Sequence, residues 1–215
     1  MGKMKTFIFD IDGTLIDSYE MYMPALFTVL AKHGYHYSHE QEVEYGHQTF
    51  GISGKDTLRI LNIPEQEQAT IQHEWSQLAF QHEERQHVFP GIPQAIDDLS
   101  HRQNTQIAIG TSKPLHDFKQ HFAKHYFFTD LFDEVVTIDN VKHGKPEPDM
   151  VIKAMEDLHA DPKTTVYVGD TINDLKAAHA ANVNFAAALY GAKNPEKIHD
   201  GAEFLLHHPT DLLTI

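Results

Sequence analysis

The strongest constraint on the fold is an alternation of short apolar runs with segments of helical periodicity, repeated along most of the chain. The apolar runs are rich in branched and aromatic residues, which is typical of strands buried on both faces of a sheet. Five of the runs are clear and a sixth is weaker. They cover residues 6–10, 106–111, 134–138, 165–169, 183–189 and, most weakly, 202–206.

The segments between these strands have the spacing of amphipathic helices. Apolar residues recur every three to four positions around Pro93 and after Pro114, and again from Asp149 and from Thr171 onward. We expect Asp149 to act as the N-cap of its helix. Strands that alternate with helices in this order predict an α/β fold, a Rossmann-like parallel sheet with helices on both faces.

The interval between the first two predicted strands is far longer than a crossover connection needs. Its interior contains helix signals only: Asp17 or Ser18 can cap a first helix that Gly34 ends, and further apolar stripes follow. We therefore expect residues 1–16 and 86–215 to form a catalytic α/β core domain. Residues 17–85 are predicted to form a small α-helical cap domain inserted after the first strand.

The charge of the chain argues against two classes of partner. A net charge of −14 with neutral histidines repels nucleic acid backbones and anionic membranes, and no apolar run is long enough to cross a bilayer. The first residues lead directly into the strand that carries the best motif, so we expect no cleaved signal peptide. Because the chain has no cysteine, a reducing, cytoplasmic environment is the expectation.

The chain contains 17 histidines, and two of them, His121 and His125, have the spacing of a metal clip on a helix. No glutamate follows His121, so the pattern of zinc proteases is missing. We expect these histidines to lie on a solvated surface, where they make the net charge sensitive to pH near 6.

Polar residues stand at or just beyond the ends of four predicted strands. In an open parallel sheet, ligands bind outside the carboxyl ends of the strands, so we expect these residues to meet at one edge. The four clusters are DIDGTL at 10–15, TSK at 111–113, KPEP at 145–148 and GDTIND at 169–174.

These residue types suit the transfer of a phosphoryl group. A carboxylate such as Asp10 can attack phosphorus, and a second, Asp12, can protonate the leaving oxygen and later deprotonate water. Because carboxylates repel a phosphate dianion, we expect Mg²⁺ to be bound by Asp10 and Asp170. Lys145 adds a fixed positive charge.

Smaller groups in the same clusters can hold the phosphate. Thr111, Ser112 and nearby backbone amides can donate hydrogen bonds to phosphoryl oxygens. Thr111 and Ser112 can also cap the helix that follows them. Gly13 allows the backbone to turn close to the ligand.

The four clusters resemble the motifs of the haloacid dehalogenase-like hydrolases, a large family that includes the aspartate-nucleophile phosphatases. The matching segments are DIDGTLIDS, GTSK, GKPEPD and GDTIND, and they occur in the family's order over the whole length. One such segment alone is a weak signal. Four of them in the right order, each near a strand end, are highly specific.

The resemblance implies a role for each of the polar residues in these motifs. Asp10 would be the nucleophile and Asp12 the general acid and base. Thr111 would bind the transferring phosphoryl group, and Lys145 would neutralise its charge.

The resemblance also implies a metal site and a cap. Mg²⁺ would be bound by Asp10, Asp170 and the main-chain oxygen of Asp12, while Asp174 would hold the metal's water molecules. The helical insertion would close over the substrate. The implied activity is Mg²⁺-dependent hydrolysis of a small phosphorylated metabolite through an aspartyl phosphate on Asp10. The substrate stays open among phosphoglycolate, sugar phosphates, nucleoside monophosphates and pyrophosphate. The oligomeric state stays open between monomer and dimer.

Three alternatives differ from this reading at identifiable positions. The dehalogenase branch has no acid where this chain has Asp12. A phosphosugar mutase of the β-phosphoglucomutase type would carry a histidine in the stretch 19–22 and an arginine at the place of Gly54; Lys55 is a partial substitute for the arginine. A signalling receiver domain, which is not an enzyme, would lack the long insertion.

The loop 51–55 is a glycine-rich break between helices of the insertion. We expect this loop to determine which substrate the protein binds.

Overall fold

A computed structural model describes residues 3–215; residues 1 and 2, which begin the predicted core domain, lie outside the described residues. Six parallel strands form the main sheet, and the predicted α/β class is confirmed. In chain order the strands are β1 (Thr6–Phe9), β2 (Ile16–Asp17), β3 (His87–Val88), β4 (Gln106–Thr111), β5 (Glu134–Thr137), β6 (Thr165–Gly169), β7 (Asn184–Ala188) and β8 (Phe204–Leu206).

The strand order of the main sheet is β5-β4-β1-β6-β7-β8, so β1 lies between β4 and β6. Phe7 of β1 pairs with Ile107 on one side and with Val166 on the other. Because all three strands run in the same direction and are in register, the residues that follow them emerge at one edge of the sheet. This edge holds the polar clusters predicted from the sequence.

Nine α-helices are present among residues 3–215. They are α1 (Tyr19–Lys32), α2 (His39–Thr49), α3 (Gly54–Ile60), α4 (Glu65–Phe80), α5 (Ile92–Ser100), α6 (Leu115–Phe118), α7 (Asp149–Leu158), α8 (Ile172–Ala180) and α9 (Glu196–His199). None of the described helices has the length and apolar content that crossing a bilayer requires.

Helices cover both faces of the main sheet, as predicted. The apolar face of α5, including Ile92, Ile96 and Leu99, packs in a cluster with Phe9 and Ile107. On the opposite face, α7 and α8 pack against Ile8, Val136 and Tyr167. Strand side chains alternate between the two clusters, which is the period-two pattern of a sheet buried on both sides.

A third hydrophobic cluster lies among α1–α4, outside the main sheet. Leu26 and Leu30 of α1 meet Ile71 and Trp75 of α4, and all four side chains are buried. The Trp75 indole donates a hydrogen bond to the Tyr22 carbonyl at 2.8 Å, which fixes the ring against α1. The helical character of residues 17–85 agrees with the sequence analysis; their role as a separate cap domain stays a prediction.

The sequence analysis missed β2 and β3, a two-stranded antiparallel ribbon at the two places where the chain passes between the sheet and α1–α4. Ile16 pairs with Val88 and Asp17 with His87. A ribbon of two residues in each strand is too short to give a periodic signal.

Three predicted helix features differ in detail. The N-cap of α7 is Pro148, and Asp149 is the first helical residue. Of the two candidate caps of α1, Ser18 is the N-cap residue but makes no side-chain cap hydrogen bond, because its hydroxyl donates to Asp12, whereas the Asp17 carboxylate accepts the Tyr19 N–H at 3.2 Å. The helix after Pro114 is a single short turn, α6, followed by a wider π-type turn over residues 119–123.

Candidate active site

Three neighbouring strands present the first polar residues of the site. Asp10 follows β1, Thr111 ends β4 and Asp170 follows β6, and the side chains of all three are almost completely buried. The Asp10 backbone N–H donates to the carbonyl of Val168 at 2.9 Å, which continues the sheet beyond the end of β1. The predicted convergence of distant clusters at one edge is therefore present.

Lys145 joins two of the carboxylates. Its Nζ lies 2.7 Å from Asp174 Oδ1 and 2.9 Å from Asp10 Oδ2, with the ammonium group fully buried. The second contact is an ion pair without hydrogen-bond geometry, because Asp10 Oδ2 has no hydrogen-bond partner among the described residues. Asp174 is held from its other side by the Thr171 N–H and hydroxyl, at 2.9 and 2.6 Å from Oδ2.

Asp170 is held by one hydrogen bond and leaves an oxygen free. The Thr14 hydroxyl donates to Oδ1 at 3.0 Å, while buried Oδ2 has no partner in the described part of the chain. Gly13 makes room for that carboxylate: its φ is +84°, and a Cβ placed there would lie 2.1 Å from Asp170 Oδ2. The tight turn after β1 therefore needs glycine for both its backbone angle and its lack of a side chain.

Burial dominates the proton affinity of this cluster. It raises the pKa of Asp10 from 3.8 to about 7, assisted by the charges of Asp174 and Asp12 and opposed by Lys145. Burial, together with Asp174 and Asp10, also holds the pKa of Asp170 well above its ordinary range. Burial alone would lower the pKa of Lys145, but the two carboxylates beside it outweigh that effect and raise it.

The acidic cluster fits a divalent cation. Oxygens of Asp10, Asp170 and Asp174 all lie within 4.8 Å of one another. Asp170 Oδ2 is buried without a hydrogen-bond partner among the described residues, which is an expensive state unless a cation or water lies beside it, and Asp10 Oδ2 has only the ion pair with Lys145. Carboxylate oxygens are the ligands that Mg²⁺ prefers. Asp10 and Asp170 can hold the ion directly, and Asp174 is already occupied by Lys145 and Thr171.

Asp12 lies in a different environment from Asp10, two residues away. The Ser18 hydroxyl donates to Asp12 Oδ1 at 2.6 Å, and Lys113 Nζ lies 3.0 Å from Oδ2. The carboxylate is partly exposed, whereas Asp10 is buried. Two carboxylates so close in the chain can therefore have different chemical tasks.

Lys113 connects this carboxylate to α1. Its buried Nζ donates to the Tyr22 hydroxyl at 2.8 Å and lies 4.9 Å from the centre of the same ring. Burial raises the pKa of Tyr22 to about 12, against the opposing effect of Lys113. At neutral pH the tyrosine hydroxyl is therefore protonated, and the ammonium bridges a core carboxylate and a residue of α1.

A cleft of about 100 Å³ lies between the edge of the sheet and α1–α4. Asp10, Asp12, Thr111 and Ser112 line it from the sheet side. The segment 49–52 and residues of α1 and α4 line it from the other side. Gly51 comes so near the core that a Cβ on it would lie 2.8 Å from the Thr171 methyl group.

The structure also shows residues in contact with the proposed site to which the sequence analysis gave no part in that site: Thr14, Ser18, Tyr22, Lys113 and Thr171. Four of the five lie inside the motif segments DIDGTLIDS, GTSK and GDTIND, and this position is the sequence signal from which their contacts can be predicted. Tyr22 belongs to α1, and only the fold reveals its contact with Lys113.

The two histidines at metal-clip spacing differ in environment. His125 is exposed, as expected. His121 is half-buried instead: its Nδ1 contacts Glu83, and its ring stacks on Phe80 with a centroid distance of 3.5 Å. The prediction that His121 lies on a solvated surface is therefore wrong.

Comparison with known proteins agrees with this geometry. A family model described as haloacid dehalogenase-like hydrolase matches residues 7–188. The chain belongs to this family. The match covers the acidic cluster, Lys145 and the helices α1–α4, and it confirms the family inferred from the four motifs.

Relatives over the full length have phosphatase names. The pyrophosphatase PpaX of Bacillus mycoides is 28% identical over 215 residues, covering 99% of this chain and 97% of that protein. The N-acetylmuramic acid 6-phosphate phosphatase of Pseudomonas aeruginosa is 25% identical over 221 residues, covering 99% and 95%. These names and the family confirm the predicted enzyme class, a phosphoric ester hydrolase.

A solved structure has the same architecture. A candidate phosphoglycolate phosphatase from Lactobacillus plantarum superposes with a TM-score of 0.89 at 25% identity, with 99% of each chain covered. The three proteins have different names and similar coverage of this chain, so likeness of fold does not choose a substrate.

Proposed function

We propose that this protein is a Mg²⁺-dependent phosphatase that hydrolyses a small phosphate ester through an aspartyl phosphate on Asp10. The observation that carries the proposal is the pair of buried carboxylates, Asp10 and Asp170: Asp170 Oδ2 has no partner among the described residues, and Asp10 Oδ2 has only the Lys145 ammonium beside it. Carboxylates buried so close together favour a bound cation. They lie beside a cleft that reaches the partly exposed Asp12.

Asp10, Asp170 and the main-chain oxygen of Asp12 would hold the metal, and Asp174 would hold its water molecules. When bound, Mg²⁺ would offset the repulsion between these carboxylates and the phosphate. Asp174 supports the site in a second way, because it fixes the Lys145 ammonium beside Asp10.

The phosphoryl group would lie between the nucleophile and the residues of the second strand end. Thr111 and Ser112 line the cleft beside Asp10 and would donate hydrogen bonds to phosphoryl oxygens. Lys145 would neutralise part of the charge. The turn at Gly13 would leave the nearby backbone free to approach the ligand.

The chemistry then takes two steps. An Asp10 oxygen attacks phosphorus while the bond to the leaving oxygen breaks, and Asp12 gives that oxygen a proton. Asp12 next removes a proton from a water molecule, which attacks the phosphorus of the aspartyl phosphate and restores Asp10. The contacts from Ser18 and Lys113 would keep Asp12 turned toward the cleft.

Residues 17–85 would act as the cap over this site, with the loop 51–55 close to the reacting groups. Gly51 and Gly54 line the cleft, whereas Lys55 is exposed and is absent from the lining. No arginine is among the described residues that line the cleft, so the second phosphate of a mutase substrate has no evident partner. This favours hydrolysis over the mutase alternative. Small metabolites in the cytoplasm are the proposed substrates.

The test is phosphate release from a panel of phosphate esters and pyrophosphate, with Mg²⁺ and with EDTA. We expect Asp10→Asn to abolish turnover, because an amide is a poor nucleophile. Asp12→Asn should slow it by about 100-fold or more, the usual contribution of acid–base catalysis. Asp130→Asn is the matched control, since this aspartate is exposed and the same change should leave the rate unaltered.

Near-normal turnover by Asp10→Asn would refute the proposed nucleophile. Activity that survives thorough removal of metal would refute the metal requirement. Conversion of a sugar phosphate to its isomer without release of phosphate would favour the mutase.

A further inference from the structure

The cap side of the cleft has no charged side chain among the described residues that line it. The sheet side holds the nucleophile and the groups suited to the phosphoryl group. The leaving group of a bound ester must therefore face the uncharged side. The chain has 17 basic and 31 acidic residues, so a cleft surface without charged side chains is unusual in it. The chemistry of that surface therefore indicates which leaving groups the cleft can bind.

Two polar side chains of α4 face the cleft with their hydrogen-bonding capacity unused. Gln72 and Ser76 are four residues apart and so lie on one face of the helix. Both are half-buried, and neither side chain makes a hydrogen bond to another described residue. An amide and a hydroxyl can each donate and accept, which matches the hydroxyl groups of an alcohol.

The surroundings of these two residues favour a carbon skeleton with hydroxyl groups. Trp75, between them in sequence, is buried and fixed by its hydrogen bond to Tyr22, and it also lines the cleft. Gly54 leaves space for the amide: a Cβ at position 54 would lie 3.0 Å from Gln72 Nε2. An aromatic surface beside neutral hydrogen-bonding groups suits a ligand with both apolar and hydroxyl faces.

The charged residues of the cleft disfavour an anionic leaving group. Besides the proposed nucleophile Asp10, Asp12 and Asp117 line it together with one cation, Lys113. The ammonium is already bound by the Asp12 carboxylate and the Tyr22 hydroxyl. A carboxylate or second phosphate on the leaving group would meet two like charges and one cation that is already paired.

We propose that the cleft selects phosphate esters whose leaving group is an uncharged, hydroxyl-bearing alcohol such as a polyol or sugar, with Gln72 and Ser76 as its specificity-determining residues. This inference rests on the proposed phosphatase function. It narrows the substrate class and assigns the choice to α4 in addition to the loop 51–55.

The test compares esters that differ in one group, a CH2OH of the leaving group in one member of each pair and a carboxylate in the other. Glycerol 3-phosphate is paired with 3-phosphoglycerate, and 2-hydroxyethyl phosphate with 2-phosphoglycolate. We expect kcat/KM to favour the uncharged member of each pair by about tenfold or more, because the anion loses solvation and gains no free cation.

Variants of α4 should move this preference in a defined direction. Gln72→Lys places an ammonium at the cleft and should raise the relative kcat/KM of the charged esters by about tenfold. Gln77→Lys is the matched control, since Gln77 is an exposed glutamine of the same helix outside the cleft. Ser76→Ala should lower kcat/KM for the hydroxyl-bearing esters more than for a simple aryl phosphate.

The outcomes separate the inference from the proposed function. Turnover with a preference for the charged esters, or a folded Gln72→Lys enzyme with unchanged preference, overturns the inference alone. If thermal melting shows that Gln72→Lys does not fold, Ser76→Ala decides, and equal loss on every ester overturns the inference. Failure to hydrolyse any phosphate ester with Mg²⁺ overturns both.

Discussion

Gly13 combines a left-handed backbone angle with a close approach to the proposed metal site. Its φ of +84° is unfavourable for any residue with a side chain, and a Cβ there would lie 2.1 Å from Asp170 Oδ2. Gly34, which follows α1, has a similar φ of +87° and open space around its missing Cβ. Comparing alanine variants at the two positions therefore separates the stability lost through the backbone angle from the activity lost through displacement of Asp170.

We predict that Gly13→Ala and Gly34→Ala both lower the free energy of unfolding, by about 1–2 kcal/mol from the left-handed backbone angle. Gly13→Ala should in addition lower kcat/KM by about 100-fold or more, because it displaces the Asp170 carboxylate, a proposed metal ligand, by about an ångström or more. Urea unfolding and steady-state kinetics measure the two effects. Equal activity in the two variants would contradict a role of Gly13 in forming the site.

The raised pKa of Asp10 gives a direction for metal binding. Between its ordinary value of 3.8 and about 7, folded metal-free protein keeps a proton on Asp10 that Mg²⁺ must displace. The apparent Mg²⁺ affinity should therefore fall as pH decreases below about 7, by about tenfold per pH unit for each proton displaced. Above about pH 7, Asp10 is ionised and should no longer make the affinity depend on pH. Protonation of Asp170, whose pKa is also raised, would make the fall steeper.

Calorimetric titration of Mg²⁺ in buffers of different ionisation enthalpy counts the protons released. Asp10→Asn should release fewer protons than the unmodified protein at pH 6. An affinity that does not change between pH 5.5 and 7.5 would show that Asp10 is ionised throughout, in conflict with its buried position.

At the scale of elements, the main strands were predictable because burial on both faces gives uninterrupted apolar runs. β4 (Gln106–Thr111) and β6 (Thr165–Gly169) have the predicted bounds, and the others are shorter by one or two residues. The four polar clusters could be placed because they follow these strands. The ribbon β2–β3 and the α6 turn could not, since both are shorter than the window in which a period is visible.

The contacts of Ser18 show a different limit. Serine before a helix normally caps it, and the sequence analysis offered Asp17 or Ser18 for that role. In the fold, the Ser18 hydroxyl is directed to Asp12 at 2.6 Å. A local rule was overruled by a functional contact, and Tyr22 with Lys113 is a long-range example of the same limit, because a pairing across 91 positions has no local signal.

The start of α8 carries the N-cap of the helix and also contacts the proposed catalytic lysine. Thr171 is its N-cap and forms a reciprocal capping box with Asp174, whose other oxygen holds Lys145. Ser38 forms the same kind of box with Gln41 at the exposed start of α2. The two boxes form a natural pair for comparison.

We predict that Thr171→Ala and Ser38→Ala each lower the free energy of unfolding by about 1 kcal/mol, the usual effect of removing an N-cap. Only Thr171→Ala should lower kcat, because it frees the Asp174 carboxylate that positions Lys145. Thermal unfolding and phosphate release measure both. A loss of kcat in Ser38→Ala as large as in Thr171→Ala would contradict a specific role of this box.

At the scale of the whole molecule, the net charge and the local cations of the site act on an anionic substrate in opposite directions. The net charge of −14 repels an anionic substrate at long range, while the cations that attract it, Lys145 and Lys113, are buried and paired with carboxylates. Paired buried cations contribute little to the field outside the protein. The long-range field that a substrate meets before it reaches the cleft is therefore repulsive.

We predict that kcat/KM for a phosphate dianion rises with ionic strength at pH 8. Salt shortens the screening length, which is about 10 Å at 0.1 M, and so removes the long-range repulsion without removing contacts inside the cleft. Kinetics with saturating Mg²⁺ and increasing potassium chloride measure the effect, and a second inert salt controls for specific ions. A steady fall of kcat/KM with salt would mean that the cleft presents a net attractive field to solvent, and hence that its cations are freer than their contacts with Asp10, Asp12 and Asp174 indicate.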